Sequence, residues 1–164
     1  MFVNPGWYYK RTMPLKIIAV GKKHESWVAE GIERYEKRLK APFLVEWVLL
    51  PHSPLEGMGA RQEESERILS RLSARAFVVL LDERGKSLDS PAIADVLTEQ
   101  LDRSQEVILI IGGAYGVDDS VHQRANLVWS LSLLVFPHQL VRLILIEQLY
   151  RAQQIVSGGK YHHE

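Results

Sequence analysis

Three features of the sequence predict an α/β architecture, a mostly parallel sheet with helices on both faces. Residues 77–81, Phe-Val-Val-Leu-Leu, and residues 107–111, Val-Ile-Leu-Ile-Ile, are unbroken apolar runs. Runs without alternation belong to strands covered on both faces, as in parallel sheets. Between them a segment opens Ser90-Pro91 and carries Ile93, Val96, Leu97 and Leu101 as an apolar stripe. It reads as a helix capped by Ser90, with Pro91 at its first position. Strand, helix, strand in this order makes a right-handed crossover, the unit of the α/β class.

The other elements follow in chain order. Residues 15–20 are apolar, β-branched and closed by Gly21, a strand. Residues 26–39 place Trp27, Ile32, Tyr35 and Leu39 at helical spacing, and Pro42 stops that helix. Residues 43–50 form a second strand, residues 51–59 a loop with two Pro and two Gly, and residues 61–72 a charged helix. Asp118-Asp119-Ser120 suits a helix cap better than a metal site. Residues 127–130 make a short strand, and residues 131–136 are mostly apolar and end at Pro137. Residues 137–156 form a helix whose apolar side chains, among them Leu140, Leu143, Ile144, Leu145 and Leu149, cover most of its circumference. Such a helix needs cover on more than one side. Its own sheet supplies one side, and a second subunit of a two-fold dimer supplies the other.

The chain of 164 residues fits a single domain, residues 13–164, preceded by an extension at residues 1–12 that lacks the apolar stretch of a signal peptide. No apolar run approaches the ~20 residues of a membrane-spanning helix. Cys is absent, which excludes disulfides, a thiolate nucleophile and Cys-ligated zinc. Zero net charge argues against tight nonspecific binding to nucleic acid. The charge is uneven, however: residues 1–40 hold nine basic against four acidic side chains, enough for a local basic face.

Candidate site residues cluster late in the chain. Gly112, Gly113 and Gly116 follow the strand at 107–111, where glycine permits a plain turn and equally a loop that a ligand approaches closely. The spacing fits neither a dinucleotide fingerprint nor a P-loop. Residues 82–86 end the other apolar run, and strand ends of this kind hold ligands in open α/β sheets. His138 and Arg142 stand four apart on one helix face, suited to hold an anion or move a proton. Glu147 and Arg151, also four apart, make an intrahelical ion pair. The ending Tyr161-His162-His163-Glu164 lacks a third metal ligand, so no metal is expected.

Six blocks in order then carry a resemblance: Leu-Lys-Ile-Ile-Ala-Val-Gly-Lys, Leu-Asp-Glu-Arg-Gly-Lys, Ile-Gly-Gly-x-x-Gly, Ser-Leu-Ser-x-x-x-Phe-Pro-His-Gln-Leu-Val-Arg, Glu-Gln-Leu-Tyr-Arg-Ala and Tyr-His-His-Glu. From about residue 13 to the end the chain resembles the ribosomal RNA large-subunit methyltransferase H family, pseudouridine N3-methyltransferases of the SPOUT class. The resemblance implies a C-terminal trefoil knot, a homodimer, and S-adenosylmethionine bound among loops holding Leu81, Gly112, Gly113, Gly116, Leu131, Ser132, Leu133, Leu134, Val135 and Phe136. It implies large-subunit ribosomal RNA in the assembled ribosome as substrate, and so a cytoplasmic protein. His138, Glu147 and His162 become candidate bases or positioning groups, Arg142 a contact to the RNA or the target base, and Tyr161 and His162 a tail closing over the partner's site. Lys22, Lys23, Lys37 and Arg38 become the candidate RNA-facing patch.

Two other readings compete: a SPOUT enzyme acting on transfer RNA, and a ribosome-binding module without turnover. The Gly112 loop and the Tyr161-His162 ending speak against the second. A hydrolase lacks its Gly-x-Ser-x-Gly elbow here.

Overall fold

The computed structural model describes residues 13–163; the extension at residues 1–12 and Glu164 lie outside them. The elements run β1 (Leu15–Val20), α1 (Ser26–Glu36), β2 (Val45–Leu50), α2 (Gly57–Leu69), β3 (Phe77–Ser87), α3 (Ser90–Asp102), β4 (Val107–Ile111), α4 (Asp119–Arg124), β5 (Leu127–Ser130) and α5 (His138–Ser157). Strand order is β2-β1-β4-β3-β5, and every strand pairing is parallel.

The period of two along each strand divides the core. Ile17, Val79 and Leu109 face one way and meet Val28 and Ile32 of α1, Ile93 and Leu97 of α3, and Leu145 and Leu149 of α5. Ile18, Val78, Leu80, Ile108 and Ile110 face the other way, toward Ile68 of α2 and Val121 of α4. Helices therefore cover both faces, which is why the strand sequences show no alternation. Leu109 is fully buried, and cutting such a side chain to Ala costs about 2–5 kcal/mol.

Several boundaries differ from those read in the sequence. α1 stops at Glu36, and the chain leaves it through tighter turns in which Arg38 N donates to Tyr35 O and Leu39 N to Glu36 O. β2 starts at Val45 because Phe43 is still in a turn, donating to Lys40 O. α2 begins at Gly57, within the segment read as loop. β3 continues to Ser87: after an irregularity between Leu81 and Lys86, Lys86 and Ser87 pair again with Trp129 and Ser130. The cap of α3 is Asp89, not Ser90. The Asp89 carboxylate accepts from Ala92 N at 2.8 Å, which frees the Ser90 hydroxyl to donate to Gln148 Oε1. Asp118 does cap α4, accepting from Ser120 N and Val121 N.

Candidate functional site

β3 and β4 lie side by side, and their carboxyl ends open into a cleft of about 450 Å³. Leu81, Gly112, Gly113, Gly116, Phe136 and His138 all line it. Beyond Ile111 the chain folds into a tight hairpin in which Gly116 N donates to Gly113 O at 3.0 Å. Gly116 holds φ +71°, a conformation side chains resist. A Cβ on Gly112 would stand 3.0 Å from Val117 Cγ1, and one on Gly113 would collide with the Glu64 carboxylate. The loop thus shows bare main chain at its three glycines, while Ala114 and Tyr115 between them also line the cleft.

The segment after β5 forms the facing wall. Ser130 Oγ donates to Ser132 O, and Ser132 Oγ accepts from Leu134 N. Leu131, Ser132, Leu134, Val135 and Phe136 line a small pocket of about 80 Å³ that joins the cleft at Leu81, Val135 and Phe136. Leu133 lines neither and is 86% exposed; Leu134 and Val135 are also largely exposed.

His138 opens α5 and is half-buried in the cleft wall. Burial, together with the charges of Arg142 and His52, holds its pKa below the ordinary histidine value. Arg142 does not reach the cleft, contrary to the expected contact with RNA or target base. It is fully buried, and it donates to Val20 O at 2.7 Å, Gly21 O at 3.3 Å and Lys23 O at 3.0 Å. The carbonyls at the end of β1 converge there, and a guanidinium satisfies several acceptors at once.

The remaining candidates lie elsewhere on the protomer. Glu147 is nine residues past His138 on α5, roughly 13 Å along the helix axis. It accepts from Arg151 at 3.0 and 2.5 Å, from Gln148 at 2.7 Å and from the Tyr161 hydroxyl at 3.1 Å. Tyr161 packs edge-on against Tyr150, beneath the Arg151 guanidinium. Burial, hydrogen bonding with Tyr35 and the Glu147 charge raise its hydroxyl pKa above the usual phenol range. His162 stands beside Arg151. One chain therefore assembles two separate groups, the strand-end cleft and the tail cluster. The basic residues also divide: Lys22 and Lys23 precede α1, while Lys37 and Arg38 follow its last turn, with Arg38 over the rings of Tyr35 and Tyr150.

Sequence reasoning pointed to the strand-end stretch 82–86 without giving its residues a role, and it missed Arg61 altogether. Arg61 lines the cleft and donates from Nε to Val117 O at 2.7 Å. Arg84 also lines it and grips Asp82 through two bonds of 3.0 Å, with His122 3.2 Å from the same carboxylate. Burial alone would raise the Asp82 pKa, but Arg84 and His122 hold it below the usual carboxylate value. The strand-end position of residues 82–84 was the available signal; for Arg61, on a helix that reads as solvated, there was none. Among the described residues no group of three or more His, Asp or Glu is placed to hold a metal ion, and no helix is long and apolar enough to cross a membrane.

The sequence profile of a family described as "Predicted SPOUT methyltransferase" matches residues 13–162, nearly the whole chain. The chain belongs to the SPOUT methyltransferases. Among proteins similar to this SPOUT chain, one from Geotalea daltonii is 41% identical over 153 residues, covering 92% of this chain and 100% of its own length. Another, from Desulfitobacterium hafniense, is 40% identical over 158 residues, covering 92% and 99%. Both bear the name ribosomal RNA large subunit methyltransferase H. The SPOUT fold also resembles the crystal structure of a methylase family protein from Neisseria gonorrhoeae, with TM-score 0.53 and 10% identity over 99% of this chain and 92% of that one.

Proposed function

We propose that this SPOUT chain transfers a methyl group from S-adenosylmethionine to N3 of a pseudouridine in a hairpin loop of large-subunit ribosomal RNA, within the assembled ribosome and hence in the cytoplasm. The observation that carries the reading is the strand-end cleft, where the Gly112–Gly116 loop, with main chain bare at its three glycines, lines one cleft with Val135, Phe136 and His138. Family membership and the names of the relatives support the reaction and the RNA class.

The cleft fits the cofactor. Its volume lies within the roughly 300–1,000 Å³ of small-molecule sites. Leu81 and Phe136 can cover the faces of a purine, and main-chain amides and carbonyls of residues 112–116 can read its edge. A Cβ at Gly113 would meet the Glu64 carboxylate and one at Gly112 would press on Val117, so glycine lets this loop pack closely on the protein behind it. When bound, S-adenosylmethionine supplies an electrophilic methyl carbon on a sulfonium. The protein's task is then alignment of the nucleophile with that carbon.

The attacking ring nitrogen must lose a proton. His138, kept neutral near pH 7 by burial and by Arg142 and His52, is the cleft residue suited to accept it. Arg142 acts at one remove: it ties α5 to the end of β1 and so fixes where His138 stands.

The homodimer, knot and tail belong to the same proposal. Leu133, Leu134 and Val135 are exposed beside the cleft, and Val156 of α5 is 49% exposed, an apolar surface suited to a second subunit. The path of the last third supports the knot, since β5 pairs with β3 and α5 then returns to the end of β1. Two-fold pairing would bring one protomer's Tyr161 and His162 to its partner's cleft. Unstacked loop bases are the usual targets of sequence-specific RNA recognition, and basic Lys22 and Lys23, on the loop after β1, stand on the His138 side to meet the phosphates.

Incubation with methyl-labelled cofactor and purified ribosomes, ribosomal subunits or transfer RNA tests the reading. Label confined to one uridine-derived position of large-subunit RNA is expected. Label in transfer RNA alone, or none, refutes it.

A further inference from the structure

The charges that line the cleft are not equivalent. Asp82 and Arg84 neutralise each other through two hydrogen bonds. Arg61 has no such partner: its Nε donates to Val117 O, and no ion pair to it forms among the described residues. That one bond holds the guanidinium at the far end of the glycine hairpin, and its terminal nitrogens make no hydrogen bond among the described residues. Glu83, on the same cleft wall as Asp82, is exposed and makes no hydrogen bond or ion pair among the described residues, sensing Arg84 through charge alone. The cleft thus offers one uncommitted cation and one uncommitted anion, beside apolar Leu81 and Phe136 and the bare main chain of the loop.

We propose that the amino-acid end of the methyl donor lies between Arg61 and Glu83, its carboxylate on the free edge of the Arg61 guanidinium and its ammonium on the Glu83 carboxylate. This rests on the methyl-donor reading above and deepens it. An α-amino acid carries both charges on one carbon, so it suits a cleft whose lining offers both charges. A planar guanidinium with Nε already engaged still offers two terminal N–H groups to a carboxylate. An RNA phosphate fits less well, because Glu83 would repel it. Leu81, Phe136 and the glycine main chain remain for the nucleoside, which carries neither charge.

Calorimetric titration of the full chain with two probes tests this without turnover. S-adenosylhomocysteine has the amino-acid end; 5′-methylthioadenosine lacks it. Arg61→Met should weaken S-adenosylhomocysteine about tenfold or more, the scale of a charge-assisted contact, and leave 5′-methylthioadenosine unchanged. Glu83→Gln should give a smaller loss with the same selectivity, and Arg61→Lys, which keeps the charge but not the fork, a loss between wild type and Arg61→Met. Equal weakening of both probes by Arg61→Met would mean that Arg61 only supports the hairpin through Val117, and would overturn the proposal, as would no change for either. A wild-type chain that binds 5′-methylthioadenosine as tightly as S-adenosylhomocysteine overturns the subsite alone. One that binds neither overturns the methyl-donor reading with it.

Discussion

The Arg142 guanidinium donates to the Val20 carbonyl oxygen at 2.7 Å, joining α5 to the last residue of β1 across 122 positions of sequence. Gly21 O, Lys23 O and His24 Nδ1 complete its surroundings. Arg142→Met removes the donor shared by these acceptors and leaves buried carbonyls unpaired. We expect a stability loss of about 3 kcal/mol or more, read from the denaturant midpoint. Cofactor affinity measured well below that midpoint should fall less than turnover, because His138 and not the glycine hairpin loses its anchor.

His138 makes stability and turnover depend on pH in the same direction. Its ordinary value is 6.5, and the folded value is lower because of burial and then the charges of Arg142 and His52, with Glu64 and Glu25 opposing. Between the folded and unfolded values the unfolded chain binds a proton that the folded chain does not. Stability is therefore full above the unfolded value and falls as pH drops toward the folded one. His24, lowered by burial and Arg142, adds to the same slope. Chemical denaturation near pH 5.5 and near pH 7.5 should show the loss at the lower pH, and His138→Gln should flatten it. If His138 accepts the proton, kcat should hold its acid limb below the ordinary histidine value, and His138→Gln should abolish turnover with cofactor binding intact.

Gly113 and Glu64 are fitted to each other, since a Cβ on Gly113 would occupy the place of Glu64 Oε2. Glu64 is 4% exposed, and its other oxygen accepts from Ser53 N at 2.9 Å, so the carboxylate is not free to swing away. Gly113→Ala should cost about 1–3 kcal/mol, the usual cost of overpacking, and should weaken cofactor binding. Glu64→Ala makes room for the methyl. The double variant should then be more stable than the sum of the two losses predicts, by at least about 0.5 kcal/mol. Additive losses would show that the hairpin relaxes elsewhere.

The sheet was legible because both of its faces are covered: Val107 to Ile111 are buried without exception, and unbroken apolar runs follow from that. The strand-end loop was legible as a turn or a ligand loop because three glycines follow the apolar strand, and at Gly113 the Glu64 carboxylate leaves no place for a side chain. The burial of Arg142 was not legible. Four residues past His138, it looks like an exposed partner on the same helix face, and only the assembled fold brings Val20 O, Gly21 O and Lys23 O to one point. Arg61 and Glu64 were hidden by their helix, whose charged sequence reads as solvated although Glu64, Ser65 and Ile68 are buried. Asp89 and Ser90 both suit the cap of α3, and only the Gln148 side chain, which takes the Ser90 hydroxyl, decides between them.

The separation of His138 from the tail cluster leads to a prediction about subunits. Within one protomer Tyr161 is held at Glu147, at the middle of α5, while His138 stands at its first residue. If the tail serves the partner's cleft, a site needs His138 from one protomer and Tyr161 and His162 from the other. Light scattering should then give twice the mass of one chain. His138→Ala protomers and His162→Ala protomers should each be inactive alone. Unfolded together and refolded as a mixture, half of the two-fold dimers are mixed, and one of the two clefts in each has both parts intact. Activity should return to about a quarter of wild type. A tail that served its own cleft would leave every cleft in the mixture defective, and the mixture would stay inactive.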